Sequence, residues 1–302
     1  MTKDQGAGTI QLSAAMLISG TIGAFVLASG QSATNSVFFR CLIGGLVLLA
    51  YILVKKIHKK ANLNRENLPL IIIIGFSIVI NWVSLFKSYE YIPIGLSTTV
   101  YHVQPFLVFF GGALFLNAPL SRPRLTYIFM GFIGLCLVID PRENLSWDSN
   151  YFLGCALALI AAFFYAVATI ATKKLKNVPT HVIALSQLII GLILLAPLAN
   201  FSALPDKSSQ WAALLVLGII HSAVMYILIY SAYQKLEAAQ IAVLNYLYPL
   251  AAVGVDYFYF GITLSATQLA GGFLILACGL FGLLNVNLLN RLSLSTGADR
   301  RN

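Results

Sequence analysis

The chain has 302 residues, 59% of them hydrophobic and only 10% charged, with a formal net charge of +9 and a mean hydropathy of +0.85. Soluble domains average about 25% charged residues, so this chain has too little charge to cover a water-facing surface of its size. The composition excludes a soluble globule, a secreted disulfide scaffold, a nucleic-acid-binding module and a disordered tail, and it predicts an integral membrane protein.

Ten segments are apolar over about 20 residues, the length that crosses a bilayer as a helix. We number them spans 1 to 10: residues 10–29, 33–54, 68–89, 94–117, 123–140, 151–172, 180–199, 211–234, 239–261 and 266–288. Span 1 is expected to be a retained helix, since one lysine, one acid and no processing site precede it. The short connections leave no room for a soluble domain, so the predicted fold class is an all-α integral membrane protein with ten transmembrane helices.

The lysines and arginines predict the orientation of these spans. Outside the apolar segments, 15 basic residues fall on one side of the membrane, and only Arg142 and Lys207 fall on the other. Because basic loops stay in the cytoplasm, both termini are predicted to be cytoplasmic. We therefore expect a multi-pass protein of the cell inner membrane.

The two halves of the chain repeat each other. Residues 86–105 (FKSYEYIPIGLSTTVYHVQP) align with residues 230–249 (YSAYQKLEAAQIAVLNYLYP), which pairs Pro105 with Pro249. The halves are residues 1–146 and 147–302, with five spans each, and an odd number of spans places them in opposite orientations. Inverted repeats are typical of secondary transporters that work by alternating access.

The paired prolines lie inside spans 4 and 9. Pro105 and Pro249 are about 11 residues from the start of their spans, which is close to the bilayer midplane. Proline removes a helix hydrogen bond, and matching helix breaks at the midplane indicate a substrate site. A kink that only shapes the packing is the alternative.

These features resemble the EamA family of the drug/metabolite transporter superfamily, over nearly the whole chain. The matching positions are Arg40, Tyr89, Pro105 and FLNAPLS (115–121) in the first half, and Tyr233, Pro249 and YFGITLS (259–265) in the second. The resemblance implies two inverted five-helix repeats. It also implies export of amino acids or other small metabolites, often driven by protons.

Ionisable side chains inside spans are costly and are therefore functional candidates. Arg40 either binds a substrate carboxylate through two parallel hydrogen bonds or ties loop carbonyls together. Glu90 either pairs with Lys87, three residues away on one helix face, or binds a substrate ammonium at an outer gate. His102, one turn before Pro105, either exchanges a proton against substrate or is a neutral, hydrogen-bonded side chain.

A central cavity is expected between spans 1, 3, 4, 6, 8 and 9, where the prolines and most polar groups fall. The predicted substrate-binding residues are Arg40, Trp82, Tyr89, Tyr101, His102, Gln104, Tyr165, Asn245 and Tyr248. Proton coupling is predicted for His102, with Glu90 and Asp256 as further candidates, while a structural hydrogen-bonding role is favoured for His221. Aromatic walls suit an amphiphilic or zwitterionic solute better than a bare inorganic ion.

Other classes of function find little support. The four cysteines lie singly in apolar segments without CxxC or Cys/His spacing, and the chain has no HExxH motif and no Ser/Lys dyad. We expect no metal, no cofactor and no enzyme activity. The expected partners are a small-molecule metabolite, the lipid bilayer and, for a coupled carrier, protons. A passive uniporter is one alternative, and a flippase for lipids or lipid-linked sugars, favoured by a lateral opening rich in basic groups, is another.

Overall fold

The computed structural model describes residues 3–57, 65–92, 94–118, 122–139, 149–175, 177–202, 204–251, 254 and 265–284. Every regular element within these ranges is a helix. The first seven helices are α1 (Lys3–Ser19), α2 (Ile22–Ala28), α3 (Ala33–Val54), α4 (Asn67–Ser88), α5 (Ile94–Tyr101), α6 (Gln104–Leu116) and α7 (Arg122–Ile139). They are followed by α8 (Ser149–Lys174), α9 (Thr180–Leu195), α10 (Ser208–Gly218), α11 (Met225–Lys235), α12 (Ala238–Leu244) and α13 (Ala266–Leu284). A short 3₁₀ turn (Ala196–Leu198) follows α9, and a π-helical segment (Ile219–Val224) joins α10 to α11.

Six helical stretches in the described part of the chain are long and apolar enough to cross a membrane. They are Asp4–Ala28, Ala33–Val54, Asn67–Ser88, Asn150–Lys174, Thr180–Leu198 and Ser208–Lys235, with shorter apolar helices at Gln104–Leu116, Leu125–Leu137 and Leu269–Cys278. Large apolar side chains are exposed on the outer surface, among them Val54, Leu114 and Phe273, as expected where a helix faces lipid. The chain is a multi-pass membrane protein, and the full count of ten spans stays a prediction.

The helices pack in pairs drawn from distant parts of the chain. The most extensive contacts are between α4 and α8, α7 and α13, α1 and α11, and α3 and α9. Close approach depends on glycine at α3 and α10, where a Cβ added to Gly44 would lie 2.5 Å from the Gly218 carbonyl oxygen. Small residues allow such contact between membrane helices, and this one brings α3 against the start of the π-helical segment.

Two predicted spans contain interruptions that the hydropathy pattern did not predict. Span 1 divides at Gly20–Thr21 into α1 and α2, and span 8 contains the π-helical segment Ile219–Val224. The two interruptions meet, because the Thr21 hydroxyl oxygen lies 2.7 Å from Nε2 of His221. A π-helical turn inside an α-helix often marks a functional site, so the meeting point of α1, α2 and span 8 is a candidate.

Spans 4 and 9 are interrupted at matching places. The first break separates α5 from α6 at residues 102 and 103, and the second follows Leu244 at residues 245 and 246, before helical residues 247–251. Pro105 lies in the first turn of α6, three residues after His102, and Pro249 lies four residues after Asn245. Helix α6 also packs on α12, so the two broken helices contact each other.

Candidate functional site

A small cavity of about 50 Å³ lies where these interrupted helices converge. Its lining comes from each of the six spans expected around it and, in addition, from Arg40 of span 2. The lining residues are Met16, Ser19, Ile22, Arg40, Asn81, Trp82, Leu85, Phe86, Tyr89, Tyr101, Gln104, Tyr165, Met225, Tyr226, Ile229 and Tyr248. Ligand pockets usually measure about 300–1,000 Å³, so the cavity is contracted here and holds a few waters at most.

Arg40 is the one cation that lines this cavity among the described residues. Its side chain is 0% exposed. Nε donates a hydrogen bond to the Ser222 hydroxyl oxygen at 2.8 Å, and Nη2 donates to the His221 carbonyl oxygen at 2.9 Å. Nη1 has no hydrogen-bond partner in the structure. The guanidinium carbon lies 4.2 Å from the centre of the Trp82 ring, an arrangement that stabilises a buried cation.

The π-helical segment supplies both acceptors for Arg40. In this segment each backbone N–H bonds to the carbonyl five residues earlier, instead of four as in an α-helix. The His221 carbonyl and the Ser222 hydroxyl then face Arg40 on α3. Ser222 donates its own proton to the Leu217 carbonyl at 2.8 Å, so its oxygen is fixed as an acceptor. The fold therefore holds one edge of the Arg40 guanidinium rigidly.

The remaining polar groups of the cavity wall are mostly bonded to one another. Trp82 donates from Nε1 to the Tyr226 hydroxyl at 2.6 Å. Asn81 donates from Nδ2 to the Ala161 carbonyl at 2.8 Å and to the Tyr101 hydroxyl at 3.3 Å. These bonds orient the aromatic rings of the wall, which gives the cavity an aromatic surface with hydroxyl groups at fixed positions.

His102 lies behind the cavity wall, at the break in span 4. Its Nδ1 is 2.6 Å from the Thr98 carbonyl oxygen, and because a carbonyl can only accept, Nδ1 carries the proton. The ring stacks on Tyr248 from the second break, with centroids 5.2 Å apart and an interplanar angle of 9°. Nε2 is buried and has no partner at ordinary hydrogen-bond geometry, and the Asn245 backbone lies near the ring.

Asn245, at the second break, is also behind the wall. Its Oδ1 accepts from the Tyr165 hydroxyl at 3.5 Å, and Tyr165 shares a short hydrogen bond with Tyr233. Lys173 on α8 donates to the carbonyl oxygens of Tyr233 (2.9 Å) and Leu236. These contacts join the end of α8 to the end of α11 and to Leu236, which follows it.

The structure gathers most of the predicted substrate-binding residues around one cavity. Seven of them line it, namely Arg40, Trp82, Tyr89, Tyr101, Gln104, Tyr165 and Tyr248, whereas His102 and Asn245 are buried one layer behind. Glu90 forms an ion pair with Lys87 at the end of span 3, where both side chains are 43% exposed. Asp256 lies outside the described residues.

Several lining residues were absent from the predicted set. Asn81 is the clearest case, because an amide in the middle of an apolar span is itself a polar signal of the kind that identified Gln104. Ser19, Met16 and Ile22 line the cavity close to the interruption of span 1. Nothing in the residue types of Met16 and Ile22 distinguishes them from lipid-facing neighbours.

A second cavity, of about 340 Å³, opens between α4, α6 and α8, toward the surface. Its lining is apolar apart from Lys174, whose Nζ lies 5.7 Å from the centre of the Phe115 ring. A single lysine at the end of an apolar groove is a weak match to the lateral opening, rich in basic groups, that a flippase predicts.

Comparison with known proteins gives consistent matches along the chain. The sequence profile of the EamA-like transporter family matches residues 6–140 and again residues 152–284. An uncharacterized transporter of Bacillus subtilis (strain 168) is 28% identical over 277 residues, which cover 91% of this chain and 89% of the relative. The pseudopaline exporter of Pseudomonas aeruginosa PAO1 is 26% identical, covering 82% and 84%. One crystal structure shares the fold, with a TM-score of 0.80 and 19% identity, covering 92% of this chain and 99% of the other.

Proposed function

The chain belongs to the EamA-like transporter family, and from this premise we propose that it is a secondary active transporter exporting amino acids or similar small amphiphilic metabolites by alternating access. The observation that carries the proposal is the cavity between Arg40, Trp82 and Tyr248, which lies where the interrupted spans 1, 4, 8 and 9 converge. Ligand sites of secondary transporters lie at such interruptions because freed backbone groups and polar side chains can then reach the solute.

The size of the cavity favours a carrier over an open channel. At about 50 Å³ it is too small for an amino acid, so a bound solute requires the surrounding helices to move apart. The bonds from Lys173 to the Tyr233 and Leu236 carbonyls would break when the cavity opens toward the basic side. Opening one side while the other stays closed is the motion that alternating access needs.

Proton coupling is proposed for His102. Within the described residues its ring neighbours are Tyr101, Tyr246 and Tyr248, and no carboxylate contacts it. A proton taken up on Nε2 would place a cation against the Tyr248 ring, a favourable cation–π arrangement next to the cavity. Solute and proton would then affect the same aromatic wall, which links their occupancies.

The proposed setting is the inner membrane with both termini in the cytoplasm, because the basic residues concentrate on that side. The family supports a small-molecule solute, and the relative named as an exporter of pseudopaline supports export of an organic metabolite. The physiological direction depends on the gradients across the membrane as well as on the protein.

Thermal unfolding of the detergent-purified protein with a library of amino acids and related metabolites tests this function. We expect at least one organic solute to raise the melting temperature, since a ligand that binds only the folded state stabilises it. That solute should then exchange across proteoliposomes that contain the protein. A library without a stabilising solute, and proteoliposomes without exchange, would contradict the proposal.

Two further arms separate the alternatives. Exchange that is insensitive to an imposed pH gradient indicates a passive uniporter rather than a proton-coupled carrier. Translocation of a fluorescent phospholipid by the same proteoliposomes, without exchange of any soluble metabolite, indicates a flippase.

A further inference from the structure

One edge of the Arg40 guanidinium is not hydrogen-bonded, and its N–H groups indicate which chemical group a solute would place there. A guanidinium has five N–H donors in a planar fork. Nε and one N–H of Nη2 form the side edge, which the Ser222 hydroxyl and the His221 carbonyl fill. The end edge, made of Nη1 and the second N–H of Nη2, remains, and Nη1 has no partner. Two parallel N–H groups are what a carboxylate accepts bidentately.

The charge of Arg40 is also unbalanced. The ion pair found in the described part of the chain is Lys87–Glu90, and no aspartate or glutamate of that part lines the cavity. A buried charge without a counter-ion is costly, and the Trp82 ring at 4.2 Å offsets only part of this cost. An anion entering the cavity would supply both the missing charge and the missing acceptors.

We propose that the end edge of the Arg40 guanidinium is the receptor for a carboxylate on the transported solute. This rests on the proposed transport function and names its substrate class: an amphiphile with a carboxylate head and an apolar or aromatic body. The body lies against Trp82, Phe86 and the tyrosines of the wall. An ammonium group on the same solute would face aromatic rings, which attract a cation only weakly compared with a carboxylate. The site therefore suits a zwitterion, held by its carboxylate, better than a free cation.

A structural role for Arg40 alone explains less of the geometry. Tying α3 to span 8 uses the side edge only, through Ser222 and His221. If Arg40 were purely structural, its remaining N–H donors should also be hydrogen-bonded, because a buried donor without an acceptor destabilises the fold. The unmet donors of Arg40 instead lie on a residue that lines the cavity.

Acetate is a suitable probe, because it is a bare carboxylate small enough for the contracted cavity. Trp82 serves as the reporter once the other two tryptophans are removed by Trp147→Phe and Trp211→Phe. We expect a saturable change in Trp82 fluorescence on titration with sodium acetate. The ionic strength is held constant with the sodium salt of morpholinoethanesulfonate, an anion too bulky for the cavity. Acetamide, which has the same shape without the charge, should bind at least about tenfold more weakly, since hydrogen bonds to charged groups are the stronger ones.

Variants of Arg40 in the same background complete the test. Arg40→Gln should abolish the acetate response. Arg40→Lys keeps a charge but loses the planar fork, so it should weaken acetate binding several-fold. Arg122→Gln, an exposed arginine at the start of α7, is the matched control and should bind acetate as the parent does.

Several outcomes overturn the assignment: no saturable acetate response in the parent, equal responses to acetate and acetamide, or an unchanged response in Arg40→Gln. If Arg40→Gln does not fold, two measurements still test the carboxylate receptor. They are the comparison of acetate with acetamide on the parent protein and the acetate affinity of Arg40→Lys. A protein that exchanges solutes in proteoliposomes but does not bind acetate keeps the transport function and loses the carboxylate receptor. Acetate binding without exchange of any solute keeps the carboxylate receptor and contradicts the transport function.

Discussion

At the scale of single residues, His102 combines a fixed proton on Nδ1 with an unpartnered, buried Nε2. The stacked Tyr248 ring connects this side chain to the cavity. Protonation of His102 would therefore change the electrostatic environment of a bound solute through the Tyr248 ring. His102 needs no direct contact with the solute to do so.

His102→Gln should flatten the pH dependence of solute exchange in proteoliposomes while the purified protein stays folded and monodisperse. Glutamine retains hydrogen bonding to the Thr98 carbonyl but cannot take up a proton. His181→Gln is the control, because His181 lies on α9, stacked on Tyr51 and away from the cavity, and its pH profile should match that of the parent. An unchanged pH profile in His102→Gln would move the coupling role to Glu90 or Asp256, or remove it.

Asn81 connects α4 to α8 through the Ala161 carbonyl and also orients Tyr101. Asn81→Ala should lower stability by about 1 kcal/mol, the usual size of an interhelical hydrogen bond in a membrane protein, seen as a lower melting temperature in detergent. Tyr101→Phe removes only the 3.3 Å contact and should cost less. Equal losses in the two variants would show that the bond to Ala161 contributes nothing.

At the scale of helices, the contact between α3 and α10 positions the site. Gly44 and Gly218 let the two backbones meet just before the π-helical segment that holds Arg40. A methyl group at Gly44 would lie 2.5 Å from the Gly218 carbonyl oxygen, whereas one at Gly45 would meet only side chains at 3.8 and 3.9 Å. The two adjacent glycines thus offer a matched pair.

Gly44→Ala should destabilise the protein by about 1–3 kcal/mol, because overpacking forces the backbones apart, and it should weaken acetate binding at Arg40. Gly45→Ala should be neutral or slightly stabilising, since alanine is the better helix former. Both effects are measurable as melting temperatures of the purified variants. A Gly44→Ala protein as stable as Gly45→Ala would contradict the close packing of α3 on α10.

The sequence predicted helices well where hydropathy alone defines them. Span 2 was predicted as 33–54, and α3 is Ala33–Val54. The interruptions of spans 1 and 8 were not predicted, because a π-helical turn depends on partners such as Arg40 and Thr21 that are distant in the chain. Both interrupted spans are apolar on average, so their hydropathy does not reveal the interruptions.

The site was partly predictable for a similar reason. Arg40, Gln104 and the tyrosines are unusual in apolar spans and could be identified by residue type. Met16 and Ile22 could not, because a core-facing and a lipid-facing apolar side chain look alike in sequence. The placement of His102 behind Tyr248, rather than at the cavity surface, depends on the backbone geometry of the break.

At the scale of the whole molecule, the asymmetry of basic residues predicts the topology. A cysteine introduced at position 145 should be labelled from outside the cell, and one at position 297 from inside only, in a background without the four native cysteines. Membrane-impermeant maleimides applied to intact cells and to inverted vesicles measure this. Labelling of both positions from the same side would contradict a topology with both termini in the cytoplasm.

The central claim is that the cavity at Arg40 opens alternately to the two sides of the membrane. The most direct measurement is the labelling of Ser19→Cys, a cavity-lining position, by a small water-soluble maleimide in right-side-out and inverted vesicles, with Leu114→Cys on the lipid-facing surface as the control. The account predicts that Ser19→Cys reacts from both sides, and that Leu114→Cys reacts from neither. Labelling of Ser19→Cys from one side only, or from neither, would contradict alternating access through this cavity.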